Sequence, residues 1–158
     1  MISKSNKIVI KIGSSLLTNK RGGVNKTVLK NVVKDIVWLL NSKKEVVVVS
    51  SGAISLGRGK LNLKHDLTLN ESQAVAARGQ IELMTAWKNE FKKYKKQVAQ
   101  ILLSPSDIKN KKSSKNAMAT LENLLNFNCV PIINEMILPQ LMKLSLAITI
   151  FSQHKLQS

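Results

Sequence analysis

The stretch EVVVVSSGAISLGR, residues 45–58, decides the fold class of this chain. Its first six residues, EVVVVS, hold four consecutive valines without alternation, which is typical of a strand covered on both faces by helices. The run ends in small residues, and three glycines fall within residues 51–60. In open α/β sheets, ligands bind at the edge where such strands end. The stretch therefore predicts a buried parallel strand that leads directly into a ligand-binding edge.

Strands and helices alternate on both sides of this stretch. Short apolar runs predict further strands at residues 7–12 (KIVIKI), 97–103 (QVAQILL) and 129–134 (CVPIIN). Apolar residues at intervals of three and four predict helices at residues 25–40, 70–94 and 116–127, with Gly79 as a weak point in the second of these. A Pro- and Lys-rich connection is expected over residues 104–115. These patterns predict an α/β fold, a three-layer αβα sandwich with a mainly parallel sheet.

The composition is that of one globular domain. The chain has 158 residues, of which 44% are hydrophobic, so it is too apolar for a disordered tail. No run approaches the roughly 20 apolar residues of a membrane span, and no signal-peptide core follows the start. We therefore expect no membrane span and a cytoplasmic location. The single cysteine, Cys129, has no partner for a disulfide or a zinc knuckle and is expected to be a small buried hydrophobe.

The net charge of +16 raises nucleic acid as a possible partner. The lysines are not gathered in one motif but fall in short groups at residues 43–44, 92–96 and 109–115. Aromatic residues, which would stack on bases, make up only 4% of the chain. A basic nucleic-acid-binding protein is therefore the less favoured alternative. We expect weak, nonspecific association and no specific nucleic-acid partner.

A candidate phosphate loop follows the first predicted strand, where Lys11 precedes Gly13 and Ser14. A glycine lets the backbone come close to a phosphate, and the following N–H and hydroxyl groups can bind its oxygens. A lysine can neutralise the charge on a phosphoryl group in transfer. The segment is neither a Walker A loop nor a Gly-x-Gly-x-x-Gly fingerprint. On these residues alone, a lysine beside an ordinary turn glycine is an equally good interpretation.

A second small-residue loop, Ser51-Gly52-Ala53, follows the strand of the opening stretch. Its N–H and hydroxyl groups could hold a carboxylate, and the dipole of a following helix would favour the anion. A tight strand-to-helix turn is the alternative interpretation. Neither His65 nor His154 has a Cys, Asp or Glu neighbour at ligand spacing, so no metal site is expected at either histidine.

Six sequence blocks carry a resemblance to a known family. They are IVIKIGSSLLT (residues 8–18), VVVVSSGAISLGR (46–58), QAVAARGQIELM (73–84), VAQILLS (98–104), NAMATLENLL (116–125) and VPIINE (130–135). In order and spacing they resemble the glutamate 5-kinases, a branch of the amino acid kinase superfamily. The resemblance covers nearly all of residues 8–135, so it is far more specific than either glycine loop.

The resemblance implies transfer of a phosphoryl group from ATP to the side-chain carboxylate of L-glutamate, the first step toward proline. It implies ATP and Mg²⁺ as cofactors and a homo-oligomer for an intact family member. By position, Lys11 would be catalytic and contact the ATP phosphates, and Gly13 and Ser14 would line the phosphate path. The loop residues expected to bind glutamate are Ser51, Gly52 and Ala53.

Sister enzymes of the superfamily remain an alternative. Acetylglutamate, aspartate, carbamate and uridylate kinases share a Lys-x-Gly start and a glycine loop after the second strand, so these two features do not decide the substrate. The SSGAISLGR and VPIINE blocks favour the glutamate enzyme.

The chain departs from the family pattern at Met118, where the family usually has Arg, and more strongly after Glu135. There the expected Asn-Asp pair and Gly-Asp-Asn-Asp loop are missing. Restoring one adenine after the Glu135 codon converts the bases of the next two residues into codons for Asn and Asp. We therefore expect residues 1–135 to be the N-terminal part of a kinase domain. Residues 136–158 are expected to be a non-family tail produced by a frameshift. We expect the truncated chain to have lost activity and its sheet to have one open apolar edge.

Overall fold

The structure, a computed structural model, describes residues 6–102, 110–134 and 147–151. Its strands form one parallel sheet in the order β3-β4-β2-β1-β5. The strands are β1 (Lys7–Ile12), β2 (Glu45–Ser50), β3 (Gln97–Ile101), β4 (Cys129–Asn134) and β5 (Ala147–Phe151). The helices are α1 (Ser14–Leu17), α2 (Lys26–Asn41), α3 (Ala53–Leu61), α4 (Leu69–Lys92) and α5 (Lys111–Asn126). The predicted α/β fold with a parallel sheet is confirmed.

Alternate residues of the central strands point to opposite faces of the sheet and build two apolar layers. On one face, Ile8, Ile10 and Ile12 of β1 pack with residues of α1, α2, α3 and α4. On the other face, Val9 packs with residues of β2 and β4 and with Leu121 of α5. The sheet is therefore covered on both sides, as the unbroken apolar run of β2 predicts.

α5 begins five residues before its predicted start. Its N-cap is Asn110, whose side chain accepts hydrogen bonds from the N–H groups of Lys112 and Ser113. The polar residues of this first turn were expected to belong to a connection, but a capped helix end tolerates them because it needs no apolar face there. Met118, which replaces the usual arginine of the family pattern, packs against the apolar layer on this side of the sheet. Residues 104–109 of the expected connection, and residue 103 of the predicted third strand, lie outside the described residues.

α4 begins in a capping box. Thr68 accepts a hydrogen bond from the N–H of Glu71, and the Glu71 carboxylate accepts one from the N–H of Thr68. The hydrogen bond that the backbone N–H of Thr68 donates to this carboxylate, helped by the Thr68 side chain and by His65, holds the pKa of Glu71 below its ordinary value of 4.5. The start of the long helix is therefore fixed by local hydrogen bonds as well as by packing.

α3 was not predicted as a helix, because its glycines indicated a loop. Those glycines serve close packing. A Cβ on Gly57 would lie 2.0 Å from the carbonyl oxygen of Val75 on α4, and a Cβ on Gly79 would lie 1.7 Å from that of Ala53 on α3. Gly79, expected to weaken α4, therefore lets the two helices cross in direct backbone contact.

β5 adds a strand beside β1 at one end of the sheet. It pairs with β1 in parallel register from Ile8 opposite Ala147 to Ile12 opposite Phe151. β1 is therefore paired on both sides, and the expected open edge does not lie at β1. The segment AITIF is rich in β-branched residues, and pairing satisfies backbone groups that an exposed edge leaves unpaired. The rest of the tail, residues 135–146 and 152–158, lies outside the described residues.

Two further expectations from the sequence concern the burial of Cys129 and the presence of a membrane span. Cys129 is half-buried, not buried, because it stands at the first position of β4, near the surface. Among the helices that the structure describes, none is both long enough and apolar enough to cross a membrane.

Candidate functional site

A cleft of about 660 Å³ opens where β1 and β2 end. Four of the predicted site residues line it, namely Ser14, Ser51, Gly52 and Ala53. The first comes from the turn after β1, and the other three come from the turn after β2. The two loops that sequence patterns mark separately therefore meet in one cleft at the carboxyl edge of the sheet, as expected for a parallel α/β sheet.

Hydrogen bonds to β1 hold the second loop in place. The N–H of Ser51 donates to the carbonyl of Ile12 at 3.2 Å, and its Oγ lies 3.3 Å from the same oxygen. Gly52 follows with φ +118°, a conformation that residues with a Cβ rarely adopt. A side chain there would also meet the Cγ2 of Thr18 at 3.3 Å. Glycine is therefore required at this position both by the backbone and by the neighbouring loop.

The N-terminus of α3 faces the cleft. Gly52 is its N-cap, no side chain caps it, and the first intrahelical bond runs from the N–H of Leu56 to the carbonyl of Gly52. The N–H groups of Ala53, Ile54 and Ser55 thus have no acceptor within the helix. All three residues line the cleft, together with the serine loop. The cleft combines hydroxyls, backbone donors and the positive end of a helix dipole, a set suited to a carboxylate or a phosphate.

A buried polar pair lies at the floor of the cleft. The indole Nε1 of Trp87 donates a hydrogen bond to the Oγ of Ser50 at 3.0 Å. Trp87 is fully buried, and Ser50, the last residue of β2, is 3% exposed. Trp87 also stacks on Phe91, with the ring centroids 6.0 Å apart. The bond links the C-terminal part of α4 to the strand end that bears the candidate site.

The remaining predicted residues, Lys11 and Gly13, do not line this cleft. Lys11 is half-buried and lies on the same face of β1 as Val9, which is the α5 side of the sheet. Gly13 has an ordinary extended conformation, with φ −76°, and a Cβ there would come no nearer to another group than 4.0 Å from the Oγ of Ser15. Nothing in the described chain fills the space beside Gly13, so a phosphate oxygen could approach its backbone.

Three polar cleft residues were not predicted, namely Ser55, Arg58 and Gln80. Ser55 hydrogen-bonds to Thr18 at 3.2 Å, and Arg58 donates to the carbonyl of His65 at 2.7 Å. The first two follow Ser51 at helical intervals, a signal that becomes visible only once residues 53–61 are recognised as a helix. Gln80 comes from α4, and its place in the cleft depends on how α4 crosses α3.

The described part of the chain offers no cluster of three His, Cys, Asp or Glu residues that could hold a metal ion. His65 pairs with Glu71, with Nε2 and Oε1 3.3 Å apart. This contact belongs to the start of α4 and not to the cleft. His154 lies outside the described residues.

Comparison with known proteins gives the cleft its family context. The sequence pattern of the amino acid kinase family matches residues 6–147. Glutamate 5-kinase of Pelagibacter ubique (strain HTCC1062) is 46% identical over 129 residues, which are 81% of this chain and 35% of that protein. Glutamate 5-kinase of Thermoanaerobacter sp. (strain X514) is 44% identical over 130 residues, or 82% of this chain and 35% of that protein.

A third relative, glutamate 5-kinase of Citrifermentans bemidjiense, is 41% identical over 136 residues, which are 85% of this chain and 36% of that protein. The chain thus spans about a third of the length of the curated relatives that it matches. The family pattern, in contrast, extends over most of the chain and over both loops of the cleft. The chain belongs to the amino acid kinase family.

Proposed function

We propose that this chain forms part of an enzyme that phosphorylates the side-chain carboxylate of L-glutamate with ATP. The observation that carries the proposal is the cleft at the carboxyl edge of the sheet, where the Ser51 loop and the N-terminus of α3 present donors to an anion. The relatives that are 41–46% identical to this chain are glutamate 5-kinases, which supports L-glutamate as the anion.

In the proposed reaction, a carboxylate oxygen of L-glutamate attacks the γ-phosphorus of ATP. The bond between that phosphorus and the bridging oxygen breaks, and the products are glutamyl 5-phosphate and ADP. Both reactants are anions, so catalysis consists mainly of positioning them and compensating their charge. Ser51 and the N–H of Ala53 are proposed to bind glutamate, with Gly52 giving the loop its turn.

The phosphate side of the reaction is assigned to the turn after β1. The open space beside Gly13 suits close approach of a phosphate, and Ser14 supplies a hydroxyl at the mouth of the cleft. Lys11, two residues earlier in β1, is proposed to compensate the charge of the transferred group. Mg²⁺ would be held mainly by phosphate oxygens and water, which is its usual coordination beside nucleotides.

Calorimetric titration of the purified chain with L-glutamate tests the binding half of the proposal. We expect saturable binding that Ser51→Ala weakens about tenfold, the loss of one hydrogen bond to a charged group. Ser42→Ala, at an exposed serine at the end of α2, is the matched control and should bind as the wild type does. Equal weakening by both substitutions, or tighter binding of L-aspartate or N-acetyl-L-glutamate, would overturn the assignment.

A genetic test addresses the whole enzyme and the expected frameshift after Glu135. A gene with one adenine restored after that codon should rescue a proline auxotroph, whereas the unaltered gene should not. Failure of the restored gene to rescue proline growth, together with rescue of a different auxotrophy, would assign the chain to a sister kinase.

A further inference from the structure

The bond between Trp87 and Ser50 determines what the serine hydroxyl can do in the cleft. The indole N–H is a donor only, so the Ser50 Oγ must act as the acceptor in this 3.0 Å contact. The hydroxyl proton of Ser50 is then left for another acceptor. Among the residues that the structure describes, its acceptor is the carbonyl of Ser51 at 3.5 Å, the outer limit of a hydrogen bond.

Ser50 also lines the cleft, next to Ser51 and the first residues of α3. Its exposed surface is small, 3% of the residue, so a hydroxyl proton pointing into the cleft meets whatever ligand fills it and little bulk water. A buried hydroxyl whose proton lacks a good acceptor carries a cost that a bound anion removes.

We infer that Ser50 donates a hydrogen bond to the anion bound in the cleft and that Trp87 is the positioning residue that directs this proton. The inference rests on the proposed function, because the anion is taken to be L-glutamate. The inference adds Ser50 to the residues proposed to bind L-glutamate, and it gives the buried indole of Trp87 a role beyond packing in the core. Trp87 is held rigidly by its burial and by the stacked ring of Phe91, so the orientation of its N–H is fixed.

The chain offers a direct spectroscopic test, because its other tryptophan, Trp38, is 58% exposed on α2. Trp38→Phe leaves Trp87 as the single tryptophan and serves as the matched control. In this background the indole N–H gives one resolved proton signal. We expect Ser50→Ala to shift that signal and to speed its exchange with solvent without any ligand present. An unchanged signal would overturn the inference at its first step.

Titration with L-glutamate tests the second step. In the Trp38→Phe protein we expect wild-type affinity and a change in Trp87 emission on binding. Adding Ser50→Ala should raise the Kd about tenfold and abolish the emission change at saturation, and Ser50→Thr, which keeps the hydroxyl, should restore both. Unaltered affinity, or an unaltered emission response, in Ser50→Ala would refute the inference while leaving the proposed function intact. No binding of L-glutamate by the wild-type chain would refute the proposed function and this inference with it.

Discussion

Replacing Gly79 with alanine should destabilise the protein even though alanine is the better helix former. A Cβ at this position would lie 1.7 Å from the carbonyl oxygen of Ala53 and 2.5 Å from the backbone nitrogen of Gly57. Both atoms belong to the backbone of α3, so no side-chain rotation can relieve the overlap. The two helices would have to separate by more than about 1 Å to restore even a tight contact.

The magnitude follows from two opposing terms. Alanine improves helix propensity by about 1 kcal/mol, and overpacking of this kind costs about 3 kcal/mol, the upper end of its usual range, because backbone meets backbone. We therefore expect Gly79→Ala to lower the free energy of unfolding by about 2 kcal/mol and the Tm by about 4–8 °C. Because Ala53 lines the cleft, binding of L-glutamate should weaken as well.

Urea unfolding, with calorimetric melting as a second measurement, checks this expectation. The reverse substitution Ala77→Gly is the control, because Ala77 lies on the exposed side of α4 and reports helix propensity alone. It should cost about 1 kcal/mol. If Gly79→Ala instead raises the free energy of unfolding by the amount that Ala77→Gly loses, the close crossing of α3 and α4 is not present in solution.

Other predictions concern the phosphate turn, the start of α4 and the edge strand. Gly13→Ala should change the free energy of unfolding by less than about 1 kcal/mol, because the added Cβ meets no group closer than 4.0 Å. The same substitution should weaken ATP binding, measured by calorimetry, at least about tenfold. An ATP affinity equal to that of the wild type would contradict the proposed phosphate path. Because the folded-state pKa of Glu71 is depressed, its stabilisation is present above about pH 4.5 and is lost as the pH falls through the folded value. The difference between the urea midpoints of wild type and Glu71→Gln should therefore shrink as the pH falls below about 4.5, and a constant difference would contradict this. Amide exchange across Ala147–Phe151 should be slow where β5 pairs with β1, and free exchange would show that the pairing does not persist.

The larger elements were predictable because each has one dominant local pattern. The valine run of β2 and the apolar stripe of α2 require burial on particular faces, and α2 starts after its N-cap Asn25, which accepts from the N–H of Val28. The position of the loop Ser51-Gly52-Ala53 at the end of β2 was also predictable, since it follows from where a parallel strand must end, whereas its role in binding stays a prediction. These features depend on residues that are neighbours along the chain.

Features that depend on contacts between distant segments were not predicted. α3 contains Gly57 and Gly59, whose low helix propensity indicated a loop. Glycine is needed at these positions because the backbones of Val75 and Gly22, which are distant in the sequence, pack directly against them. Gln80 reaches the cleft only because α4 crosses α3 at this distance. β5 was missed for the same reason, because its partner β1 lies at the opposite end of the sequence.

The pairing of β5 with β1 sets an order of events when the chain folds. Ile8 and its partner Ala147 are about 140 residues apart, among the longest separations that a chain of this length allows. At ribosomal rates of about 5–20 residues per second, β1 is made roughly 7–28 seconds before this neighbour exists. β2 can join β1 on its other side early, but one row of β1 backbone donors and acceptors waits until Ala147–Phe151 has been synthesised. On a polysome, neighbouring nascent chains would present these unpaired backbone groups to one another and could associate through them. We therefore expect the protein to depend more on chaperones during translation than during refolding of the purified chain at low concentration.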